Sequence, residues 1–151
     1  MKRNLLSLLI LMFLCPTITE AAKTQEDLKI KDVFRIYGKR KNVVMVELSK
    51  EMLDTYDITC YKSITIKNDP EALAFIRKCL DNDQQGAKKI KEVVSDGGII
   101  SAYYQIPGKS SAINRFILFE INQKGIIPLI YLEGELDSDD LITILFTTKD
   151  F

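Results

Sequence analysis

The chain has 151 residues, 46% of them hydrophobic and 28% charged, with 21 lysines and arginines balancing 21 aspartates and glutamates. That balance gives no electrostatic reason to expect nucleic acid or an anionic membrane surface as partner. There is no histidine and no tryptophan, and the missing imidazole excludes a Ser-His-Asp triad, a Cys-His dyad, a histidine-held zinc or iron site and an imidazole proton shuttle.

Lys2 and Arg3 form a basic head, Leu5 to Leu14 follow as an apolar run broken only by Ser7, and Pro16 stops it. Thr19-Glu20-Ala21 then places small residues where a signal peptidase reads them. The run is too short for a bilayer, which needs about 20 residues. The expectation is a signal peptide over residues 1–21 and a single, exported domain over residues 22–151. Cys15 would carry the anchor of a lipoprotein, but Leu14 stands before it where a small residue belongs. N-terminal sequencing of envelope-purified protein should therefore begin at Ala22 or Lys23; an intact Met1 or a lipidated Cys15 would refute this. No later segment reaches transmembrane length: the most apolar, Ile126–Leu132, holds Pro128 and runs into Glu133 and Glu135.

Thr24 suits an N-cap with Asp27 three residues on. Leu28, Ile30, Val33, Phe34 and Tyr37 continue at helical spacing to Gly38. Lys39-Arg40-Lys41-Asn42 is a basic, solvated turn. Val43–Leu48 reads as a strand and Ser49–Asp54 as one or two helical turns. Cys60–Ile66 alternates as a second strand, with Cys60, Ile64 and Ile66 on one face. Asp69 and Pro70 are cap and first residue of a helix striped by Ala72, Phe75, Ile76, Cys79 and Leu80. Gln84–Ser95 is ambiguous: Ala87, Ile90, Val93 and Val94 fit a helical face, and a short strand in the second half is the alternative.

Three strands follow with hairpin punctuation: Ile99–Ile106, Arg115–Ile121 and Ile126–Glu133. The last two are apolar on both faces, so both faces need a cover. Asp137 caps a final helix over Ser138–Phe146. The order predicts an α+β domain, an antiparallel or mixed five-stranded sheet with helices packed on it. Phe75, Ile76, Ile142 and Leu145 suit one face. The N-terminal helix, through Val33, Phe34 and Tyr37, is expected to cross the other.

Four constellations invite a functional reading. Gly108-Lys109-Ser110 resembles the tail of a phosphate loop, but Tyr103 stands where its first glycine belongs and a strand, not a helix, follows. Glu133, Glu135, Asp137, Asp139 and Asp140 form an acidic cluster without the glycine and terminal glutamate of a calcium loop; helix capping explains most of it. Cys60 and Cys79 fall on the apolar faces of a strand and the helix after it, at similar depth by the rise of each element. They would bring their alpha carbons within about 4.4–6.8 Å for a disulfide, or stay as two buried, reduced thiols; both readings stand. Tyr61 and Tyr103 could pair on a solvent-facing strand surface, but ordinary sheet packing is the better account of them. None of these assigns a catalytic residue, cofactor or metal.

Val33-Phe34-Arg35-Ile36-Tyr37-Gly38-Lys39-Arg40-Lys41-Asn42-Val43 and Val46-Glu47-Leu48-Ser49-Lys50-Glu51-Met52 resemble a pattern of small exported Bacteroidetes proteins, in which a helix ends in a "Y-x-K-K-x-V" turn before a strand and an "S-K-x-M" turn. Tyr61–Ile66 and Leu132-Glu133-Gly134-Glu135-Leu136-Asp137 match its later strand and its strand-to-helix junction. The resemblance implies an α+β domain of a family of unknown function, set in the periplasm or cell envelope of a Gram-negative bacterium, and carries over no site residue. The expected role is a non-enzymatic module that binds protein or peptide, or associates with itself, through an apolar sheet face. The alternative is a small envelope hydrolase using carboxylate, lysine or tyrosine chemistry.

Overall fold

The computed structural model describes residues 25–108 and 110–147, with side chains described as far as Thr143. Residues 1–21 with Cys15, the expected cap Thr24, Lys109 and the side chain of Leu145 lie outside the described residues. The elements are α1 (Ile30–Tyr37), β1 (Val44–Glu47), α2 (Lys50–Thr55), β2 (Ile58–Lys67), α3 (Pro70–Asp83), β3 (Lys88–Ser95), β4 (Gly98–Ile106), β5 (Asn114–Glu120), β6 (Ile126–Gly134) and α4 (Ser138–Thr147). The fold is α+β, with every strand in one antiparallel sheet of order β1-β2-β6-β5-β4-β3.

The sheet has six strands where the sequence predicts five. The addition is β3, in the ambiguous segment before Ser95. Asp96 (φ 51) and Gly97 (φ 75) both adopt left-handed backbone, and they join β3 to β4 as a two-residue hairpin turn, the use for which Asp-Gly is best suited. Register shifts between Lys89 and Lys91 and between Val93 and Val94 break the two-residue alternation that would have marked a strand.

Local signals are realised where they were strong. Asp69 accepts the Ala72 N–H at 2.9 Å with Pro70 in the first turn. Asp137 accepts the N–H groups of Asp139 and Asp140 at 2.8 and 2.9 Å. Helix α1 starts later than expected, at Ile30, because its donors are taken by a distant acid: the Asp83 carboxylate, at the end of α3, accepts the N–H groups of Lys29 and Ile30 at 2.7 and 2.9 Å. Burial pushes the Asp83 carboxyl upward against the pull of those two bonds.

Both sheet faces are covered, but not as the sequence led us to expect. α1 and α3 lie side by side on one face, where Val33, Phe34, Tyr37, Ile76 and Leu80 share a single cluster with Ile64, Tyr104, Ile117, Phe119, Leu129 and Tyr131. The opposite face gathers Phe116, Leu118 and Leu132 under Leu136 and Leu141, with Leu53 of α2 at its border. So α4 and α2, rather than α1, cover the second face. An amphipathic stripe decides which side of a helix is buried, and says nothing about which side of the sheet receives it.

Candidate interaction surface

The two edges of the sheet are built differently. β3 begins Lys88-Lys89-Ile90-Lys91 and is bulged at Ile90, and its ladder with β4 shifts again at Ile100. Lys89 pairs with Glu92 at 2.9 Å and Lys91 sits 4.8 Å over the Tyr103 ring. Lysines and bulges are the usual means of blunting an edge against another chain, although Val93 and Val94 stay exposed at its far end. β1 has neither device. It reads Val-Met-Val-Glu, pairs with β2 through four consecutive partners without a shift, and among the described residues no strand pairs with its outer side. Val44, Met45 and Val46 are 56%, 40% and 41% exposed. Their letters read as core, but the sheet order places them at the rim.

Alternation divides β1 between the faces. Met45 and Glu47 stand opposite Ile64 and Lys62, on the α1 side; Val44 and Val46 stand opposite Thr65 and Ser63. Exposed Met52 and Tyr56 in and just after α2 extend the apolar strip. On the α1 side a cleft of about 540 Å³ opens over Phe34 and Met45. Each cation there faces an acid: Lys31 with Glu26 at 3.5 Å, Arg35 with Asp32 at 3.0 Å, and Lys62 with Glu47 at 3.7 Å. The cleft is therefore electrically self-compensated. Gln25 lines it, and its buried Nε2 donates to no acceptor among the described residues.

A second cavity of about 410 Å³ lies between the α2–β2 turn and α4, lined by Asp57, Glu135 and Asp140 among others. Asp57 and Glu135 are exposed, and Asp140 accepts the Asp137 N–H at 3.1 Å.

Under the N-terminal segment runs a buried polar chain. The Arg115 guanidinium donates to both carboxylate oxygens of Asp27 at 2.9 and 3.0 Å and twice to the Pro107 carbonyl, at 3.0 and 2.6 Å. It also bonds the Tyr131 oxygen, and the Tyr131 hydroxyl donates to buried Glu133. On the same face the Tyr104 hydroxyl donates to Glu92, while on the opposite face that of Tyr103 donates to Glu120 at 2.6 Å. Burial and these carboxylate acceptors push all three phenols well above their ordinary range. Burial, with Asp83 nearby, raises the Cys79 thiol to about 11. Such groups hold their protons at neutral pH and are poor nucleophiles.

The residues singled out in the sequence are dispersed. Cys60 and Cys79 are both buried in the larger cluster and do not stand at disulfide distance. The depth argument considered only distance along the strand. α3, which carries Cys79, leans toward β4, with Arg77 Nε donating to Ile99 O at 2.9 Å, while Cys60 belongs to β2, which β6 and β5 separate from β4. Tyr61 and Tyr103 do not form a solvent-facing pair: both are half-buried at the smaller cluster, opposite Leu132 and Leu118 respectively. The acidic cluster divides between buried Glu133, the cap Asp137 and solvent, and among the described residues no group of three or more metal-ligating side chains converges. Pro107, Gly108 and Ser110 lie in the loop joining β4 to β5. The basic turn is exposed, with Arg40 4.2 Å over the Tyr37 ring. The bare edge was missed; the sole local hint was an apolar triplet following a basic turn.

A model for a family of unknown function (DUF6108) matches residues 17–145. No curated protein and no solved structure matches the chain.

Proposed function

The chain belongs to the DUF6108 family of unknown function, and on that footing we propose that it is a non-enzymatic interaction module of the Gram-negative cell envelope that engages its partner by strand addition at β1. The basic head, short apolar run and small-residue site within residues 1–21 support export. The observation that carries the reading is the contrast between edges: β3 is bulged and lysine-rich, while β1 is regular, apolar and bare. An open edge offers a row of backbone donors and acceptors to an extended segment, and its alternate side chains offer selectivity. The hydrolase reading would rest on Asp57, Glu135 and Asp140 at the second cavity; two of them are solvated acids and the third is engaged in a helix cap.

Val44→Lys with Val46→Lys should abolish capture of the partner from envelope extract by the tagged protein. Both positions are exposed, so the folding free energy should stay within about 0.5 kcal/mol of wild type. Val93→Lys with Val94→Lys, on the other edge, should leave capture intact. Undiminished capture by the Val44/Val46 variant would remove the basis of this reading.

A further inference from the structure

Resting on the β1 reading, we propose that the segment added at this edge is β1 of a second copy of the same chain, forming a two-fold dimer with one continuous antiparallel sheet. Three features of the edge fit a second copy.

The first is register. A two-fold axis perpendicular to a sheet keeps each face on its own side, so residues opposite one another across the axis must share a face. Centred on Met45, the pairing sets Met45 against itself and Val44 against Val46 of the second copy, twice over. All three exposed apolar residues of β1 then meet apolar residues, which the Val-Met-Val palindrome makes possible. Centred on Val46, the same edge would set Met45 against Glu47; centred on Glu47, it would set like charges together.

The second is charge. Exposed Lys39, Arg40 and Lys41 precede β1, and exposed Glu47, Glu51 and Asp54 follow it, with exposed Lys50 as the one cation among them. Antiparallel pairing of two copies lays the basic end of each beside the acidic end of the other, whereas parallel pairing would set like beside like. Arg40 and Glu47 have acidic and basic partners within the chain, Asp69 and Lys62. Lys39, Lys41, Glu51 and Asp54 enter no ion pair among the described residues and carry the complementarity.

The third is the cleft beside the edge, whose cations are matched by its own acids. It calls for no charged ligand to lie against α1 while β1 is paired.

Sedimentation equilibrium of the purified protein from about 10 µM to about 1 mM should show a reversible dimer, weak because a four-residue pairing falls well below the standard interface of about 1,600 Å². Val44→Lys with Val46→Lys should weaken it at least tenfold. Lys39→Glu with Lys41→Glu should weaken it several-fold, as should Glu51→Lys with Asp54→Lys, and an equimolar mixture of the two variants should recover association as a heterodimer. Met45→Cys should form an intermolecular disulfide under mild oxidation, since Cys60 and Cys79 are buried, while Val93→Cys on the other edge should not. A protein that stays monomeric at about 1 mM, a dimer unmoved by the Val44/Val46 variant, or a mixture that fails to recover would each overturn the proposal. Wild-type protein that is monomeric yet loses capture of a different protein in the Val44/Val46 variant would end self-pairing and leave the strand-addition reading standing. A Val44/Val46 variant that keeps both its dimer and its capture would end both.

Discussion

Arg115→Ala is expected to cost about 3–5 kcal/mol of folding stability, the range for removing one partner of a buried charge set, read as a lower urea midpoint at unchanged slope. The residue is 4% exposed and holds together three parts of the chain: Asp27 of the N-terminal segment, the Pro107 carbonyl at the end of β4, and Tyr131 of β6. Its loss orphans the Pro107 carbonyl and breaks the chain of bonds through Tyr131 to Glu133, which is itself buried and lies opposite Arg115 in the ladder. Asp27→Asn should cost no more than about 1 kcal/mol, because its side chain is 48% exposed and water replaces what is lost. Arg115→Lys should recover little, since an ammonium cannot reproduce the fork that serves a carboxylate and a carbonyl together. A loss below about 1 kcal/mol for Arg115→Ala would mean that the buried chain does not anchor the N-terminal segment.

Stability should also fall steeply above about pH 9. The Cys79 thiol rises from 9.0 to about 11 in the fold, chiefly by burial. Tyr103, Tyr104 and Tyr131 rise from 10.0, again by burial first and then by hydrogen bonding to Glu120, Glu92 and Glu133. In every case the folded state keeps a proton that the unfolded chain gives up. The stabilisation is complete below the unfolded value and is lost as pH climbs toward the folded one. Cys79 alone accounts for roughly 2–3 kcal/mol between pH 9 and 11, at about 1.36 kcal/mol per unit, and the tyrosines extend the loss upward from pH 10. Urea midpoints followed by circular dichroism across pH 7–11 test this, together with tyrosinate absorbance. Ionisation of the buried tyrosines should coincide with loss of the sheet. Their smooth titration near pH 10 with the sheet intact would show that the phenols are not held as described.

What could be read from the sequence was what neighbours in sequence decide. Asp69-Pro70 and Asp137 are caps because a side chain a few residues away satisfies the helix donors. Alternation along β4 predicts Ile100, Ala102, Tyr104 and Ile106 inward, and the last three are buried; Ile100, which the register skips between Ser101 and Ile99, is only half-buried. What escaped was set by partners far away. β3 looked helical because its extra residue, Ile90, shifts the phase of its apolar residues into a spacing close to that of a helix. α1 was assigned to the wrong face, since its placement depends on α3, whose Asp83 caps it from more than fifty residues away. β1 looked like core because Val-Met-Val is apolar; only the sheet order, which local pattern does not encode, puts it at the rim. The disulfide geometry failed for the same reason: the spacing of Cys60 and Cys79 fixes depth along a strand and leaves open which strand the helix covers.

The sheet order also dictates a sequence of events. β3, β4, β5 and β6 are joined by successive hairpins and pair with their chain neighbours, so this half of the sheet is assembled from short-range closures. β2 is different. It ends at Lys67, while the strand it must pair with, β6, begins only at Ile126. Loop closure over that span has to be met before the pairing repays it, which places the β2–β6 seam late in folding. Until then the meander carries a bare inner strand, β6, and the β1–β2 hairpin carries another, each able to take the corresponding strand of a neighbouring molecule. Exchange of that kind would yield an interlocked pair built on native contacts, separable from edge pairing because it would dissociate only on unfolding.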